Sequence, residues 1–98
     1  MFEAQIAKGV PYLDKRYSPD WVKQIDLNRL NMLNGCHCII GQLEENGHFN
    51  NVFMTPEEYE EAIELGLYVD HKDHVSLNPI HTKEWRVKIR QLRKERSQ

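Results

Sequence analysis

Two tryptophans, Trp21 and Trp85, each open an apolar pair at helical spacing, Trp21 with Ile25 and Trp85 with Ile89. So large an apolar side chain belongs in a core, and a partner at i+4 makes its segment a helix with one buried face. A chain of 98 residues cannot divide its apolar side chains between two stable cores, so both tryptophans must serve one. The apolar fraction, 40% with two Trp, four Tyr and three Phe, suffices to fill that core and argues against a disordered chain. The expectation is a mainly α fold: one helical domain over residues 1–98, built from four to five short helices.

Local signals place the helices. Phe2, Ile6, Val10 and Leu13 form one stripe over residues 2–16, where Gly9 and Pro11 predict a kink or a division into two short helices. Ser18 is suited to cap a second start, with Pro19 and Asp20 in its first turn. Leu27, Leu30, Met32 and Leu33 suggest a short helix over residues 26–34, ended by the Asn34-Gly35 turn signal. The run Cys38-Ile39-Ile40-Gly41-Gln42-Leu43 is the most apolar in the chain. Its β-branched residues suit a strand, but a polar stretch follows with no hairpin partner, which favours a short buried helix.

Thr55-Pro56-Glu57-Glu58 is the clearest local signal. Thr55 and Glu58 can exchange side-chain and backbone hydrogen bonds as a capping box, opening a helix that runs to about Leu65 and stops at Gly66 in a left-handed cap. Residues 67–69 and 75–77 are β-prone and leave room for one minor β-hairpin around Asp70-His71-Lys72-Asp73-His74, although a loop fits equally. Asn78-Pro79 closes that region. A last helix over residues 82–96 turns Trp85, Ile89 and Leu92 inward.

Net charge is only −2, but it is unevenly spread. Residues 1–80 hold thirteen acidic and six basic side chains; residues 81–98 hold seven basic and two acidic. An acidic body with a basic tail helix can serve a partner, or be satisfied within one molecule or between copies in a homo-oligomer. The opening MFEAQIAKGV has no leader-like apolar stretch, no run is long enough to span a membrane, and two cysteines one residue apart make a strained disulfide. A reducing cytoplasm is the expected setting.

Candidate chemistry is sparse. Cys36-His37-Cys38, completed by His48 or by His71 and His74, has zinc-type donors, but structural sites space their cysteines two to four residues apart and no second cysteine pair exists. Cys38 reads instead as a small core hydrophobe and Cys36 as a turn residue. A cysteine nucleophile would need a placed histidine and an oxyanion turn, and no pattern supplies either. Asp70 and Asp73 with their histidines lack the ligand count and glycine of a calcium loop. No catalytic residue, metal ligand or cofactor is assigned, and the chain is read as a non-enzyme.

Binding is better supported. Lys83, Arg86, Arg90, Arg93 and Lys94 lie off the Trp85 stripe, so one face of the tail helix can pack while others carry charge toward phosphate. Gly41 inside an apolar helix, about 1 kcal/mol worse than alanine, marks close approach of something. Gln42, one turn after Cys38, either lines a ligand notch or satisfies a buried loop carbonyl.

With these residues in view, the chain resembles a family of small uncharacterised tailed-phage proteins with a Cys-x-x-Gly-Gln-Leu core and flanking Trp motifs. The resemblance runs through Leu13-Asp14, Trp21 with Ile25-Asp26-Leu27 and Leu30, residues 38–43, Ala62 with Leu65-Gly66-Leu67, and Trp85 with Ile89. It implies no activity. It does imply a setting: a viral accessory protein made in the cytoplasm of a bacterial host. The leading expectation is a non-enzymatic protein that binds a host component, for host takeover or against a defence, as a host protein or a small phosphate-containing ligand such as a nucleotide signal. A nucleic-acid-binding accessory protein using the tail helix is the alternative. A virion or assembly component is a further one, disfavoured by the lack of repeats or a coiled-coil pattern.

Overall fold

A computed structural model describes residues 1–70, 72 and 74–97, with residues 74 and 75 described for the backbone only. Among the described residues five α-helices follow in order: α1 (Glu3–Tyr17), α2 (Trp21–Gln24), α3 (Ile39–Leu43), α4 (Pro56–Glu64) and α5 (His74–Arg96), with a 3-10 turn at Phe49–Asn51. No strand occurs among the described residues, so the hairpin expected over residues 67–69 and 75–77 is not formed. No helix of the described residues is long and apolar enough to cross a membrane.

The helices with strong local codes form as read. Around α4, Thr55 Oγ1 accepts from the Glu58 amide at 3.2 Å and Glu58 Oε1 accepts from the Thr55 amide at 3.0 Å. At its other end Gly66 takes a φ of +70°, the Gly66 amide donates to Ile63 O at 3.0 Å, and the Leu67 amide to Ala62 O at 2.8 Å. That pair of bonds is the Schellman motif.

Other expectations need correction. Residues 26–34 are successive turns, not a helix. Asp26 Oδ1 takes the Asn28 amide and Asn31 Oδ1 takes the Leu33 amide, each at 3.0 Å, so short polar side chains outbid the helical carbonyls. Ser18 does not cap α2. It ends α1 with a φ of 79°, and Asp20 stands at the start of α2 without a side-chain cap. Finally, α5 starts eight residues before Thr82 and continues through Pro79. Likewise α1 is one helix despite Pro11. Both prolines are exposed, where water can satisfy a carbonyl left without its amide donor.

Gly9, expected to interrupt α1, instead lets it pack. A Cβ there would lie 2.1 Å from Leu65 O and 3.3 Å from the Trp85 ring, so α1 crosses the end of α4 and the middle of α5 only because the side chain is missing. Trp21 and Trp85 are fully buried and meet edge to face at 6.3 Å. Each indole nitrogen is satisfied, Trp21 Nε1 by Asp14 Oδ1 at 2.8 Å and Trp85 Nε1 by Gly66 O at 2.6 Å. Leu13, Val22, Ile39, Ile40, Phe53 and Ile89 close the core around them.

Candidate functional site

α5 carries most of the residues singled out for binding, and the fold divides them. Arg86 and Arg93, seven apart, are half-buried on one side of the helix. Arg86 donates to Leu27 O at 3.2 Å and Leu30 O at 3.3 Å; Arg93 donates to Val22 O at 2.6 Å and to Ile25 O. These carbonyls belong to α2 and the turns after it, where four residues of helix leave most acceptors without an amide. Arg96, which the sequence reading passed over, grips both Asp14 oxygens at 2.8 and 2.9 Å and Pro19 O at 3.0 Å. The basic tail is therefore pinned to the body by arginine forks on backbone and on Asp14. The α4 glutamates take no part in these bonds.

Gln42 is likewise occupied within the fold. Its amide nitrogen donates to His37 O at 2.9 Å and Asp26 O at 3.3 Å, and its oxygen accepts the Asp26 amide at 2.7 Å. It staples α3 to two loops. Gly41 explains the close approach: a Cβ there would sit 2.1 Å from Gly35 O. Cys38, 1% exposed, caps α3 by accepting the Gly41 amide at 3.3 Å, and burial pushes its thiol up to about 11. A thiol so protonated is a poor nucleophile at neutral pH. Cys36 is exposed in the preceding turn. His48 Nδ1 accepts the Asn50 amide at 3.0 Å. Among the described residues no three His, Cys, Asp or Glu side chains gather as a ligand set. His71, Asp73 and the His74 side chain, named for the loop cation and zinc readings, lie outside the described residues.

The outer side of α5 is different. Lys83, Arg90 and Lys94, spaced seven and four apart, form one exposed edge, and none is in an ion pair among the described residues. Beside that edge Ile80 and Val87 stand 41% and 55% exposed. They border a groove of about 540 Å³ between α5 and α1, with Ile6 and Ala7 on the α1 wall. Glu3, Lys83, Glu84, Lys88 and Gln91 complete its lining. Glu84 is turned toward the start of the chain, accepting from the Phe2 amide at 2.9 Å and the Met1 amino group at 2.7 Å. The groove was not read from the sequence. Its one visible trace there is the Ile80/Val87 pair, seven residues apart and off the Trp85 stripe.

No protein-family model matches the chain, and no curated protein or solved structure is significantly similar to it.

Proposed function

We propose that this protein is a non-enzymatic phage accessory protein that binds a host component, and that it does so through the groove between α1 and α5. The observation that carries this reading is the pairing of exposed Ile80 and Val87 with a concave apolar floor, since exposed apolar surface that lines a concavity marks a binding site more often than scattered surface residues do. The buried, capping Cys38 thiol favours holding over chemistry. The host cytoplasm and the phage setting rest on the sequence resemblance.

The test is a pull-down from bacterial host lysate with the parent chain and Val87→Glu, analysed for proteins and small molecules. A host component retained by the parent and lost by the variant is expected. Identical capture by both, or turnover of any substrate abolished by altering one thiol or imidazole, overturns the reading.

A second reading keeps nucleic acid as the partner, now on a smaller set. Lys83, Arg90 and Lys94 remain outward, whereas Arg86 and Arg93 are engaged inside the fold. Phosphate binding by three cations predicts that the logarithm of affinity falls with that of salt at a slope of about −2 to −3. A salt-independent affinity, or unchanged binding in the Lys83→Ala/Arg90→Ala/Lys94→Ala variant, removes this option.

A further inference from the structure

We infer that the α1/α5 groove receives an amphipathic helix with an acidic edge, presented by another protein. This rests on the groove being the working surface, as proposed above, and names the chemistry of what fills it. From Ile80 to Gln91 the α5 wall runs about 16 Å, the length of roughly three helical turns. Its two exposed apolar residues are seven apart, the repeat at which a helix lying alongside offers its own apolar stripe.

Charge sets the rest. The flank of the groove nearest Val87 is the edge of Lys83, Arg90 and Lys94, none of which is in an ion pair among the described residues. The carboxylates Glu3 and Glu84 sit at the other flank, where the Met1 amino group and the Phe2 amide engage them. A docked helix therefore meets three unpaired cations along its Val87 side, with Lys88 a further cation in the lining one turn from Glu84. A row of Glu or Asp on that side is attracted, and a row of Lys is repelled.

A second copy of this chain is the poorer occupant. Its acidic helix, α4, already spends its apolar face on the core through Ala62, leaving Glu57, Glu60, Glu61 and Glu64 outward with no apolar residue among them to meet Ile80 and Val87.

The experiment uses two designed helical peptides, each with leucines at i, i+3, i+4 and i+7, one edged with glutamates and the other with lysines. Binding to the full chain is read by fluorescence anisotropy, with circular dichroism confirming that each variant is folded. The glutamate peptide is expected to bind at least about tenfold more tightly than the lysine peptide, a difference of about 1.4 kcal/mol. Val87→Glu should abolish that binding, and Lys83→Glu/Arg90→Glu/Lys94→Glu should invert the preference.

Equal binding of both peptides, lost with Val87→Glu, overturns the acidic edge while the groove remains the binding surface. Tighter binding of the lysine peptide does the same. If neither peptide binds but Val87→Glu still loses its host component in the pull-down, the helix fails and the groove reading survives. If Val87→Glu changes neither experiment, both fall.

Discussion

The two sides of α5 both carry cations and put them to opposite work. Inward, Arg86, Arg93 and Arg96 reach carbonyls and a carboxylate that lie between 56 and 82 residues away along the chain. Outward, Lys83, Arg90 and Lys94 reach solvent. A guanidinium fork can serve two backbone oxygens at once, which a single ammonium cannot match in geometry. All three inward positions are arginine, whereas the outward edge mixes lysine and arginine. Positive charge on a helix is thus no guide to a binding face until the helix has been rotated onto its neighbours.

The largest effect that would sharpen this contrast lies at Trp85 against Val87, two residues apart on opposite sides. Trp85→Ala should lower stability by about 3–5 kcal/mol in urea titration, because it empties the core and strips a donor from Gly66 O. Val87→Glu should leave stability within about 0.5 kcal/mol, as expected of an exposed helix position. A large loss in the second variant would erase the distinction.

Next in size is Arg93→Ala, expected to cost about 2–3 kcal/mol by leaving the Val22 and Ile25 carbonyls without their charged donor. Arg93→Lys should recover only part of it. Arg90→Ala, three residues away, should change stability by about 0.5 kcal/mol or less. Equal losses at Arg93 and Arg90 would refute the division of the cations.

A smaller and pH-dependent effect belongs to His81, which shares the Gly66 carbonyl with Trp85. His81 Nε2 lies 2.6 Å from Gly66 O, and a carbonyl only accepts, so Nε2 carries the hydrogen and Nδ1 is left as a buried lone pair without a partner among the described residues. Burial lowers the His81 pKa below its ordinary 6.5, outweighing the Gly66 bond and Glu84, which act the other way. As pH falls, the unfolded chain takes up this proton before the folded one. Stability from this group is therefore complete above about pH 6.5 and declines below it. Thermal midpoints across that range should fall with acid in the parent and fall less steeply in His81→Gln. Parallel curves would remove His81 from the account.

Legibility followed the range of the interactions. The capping box at Thr55 and Glu58, the Gly66 stop and the Cys38-to-Leu43 helix involve partners within a few residues, and each was readable. The turns after α2 were misread because apolar spacing at Leu27 and Leu30 looked helical while Asp26 and Asn31 quietly took the backbone amides. The start of α5 was missed because Asn78-Pro79 looks like a break. In the fold Asn78 is held by the Thr82 hydroxyl one turn on, at 3.1 Å, and by Asn31 Oδ1 at 3.1 Å, a contact 47 residues away that spacing cannot forecast. Of the candidate binding residues, the cations were visible as a set, but the groove beside them was not.

By itself the sequence determined that this chain makes one helical core around Trp21 and Trp85, because apolar periodicity and capping are written into neighbouring residues. Only the tertiary structure decided which cations are spent inside and which stay free, and that Gln42 is a staple. Those outcomes depend on the rotation of α5 about its axis and on carbonyls delivered from distant turns, neither of which is written into neighbouring residues.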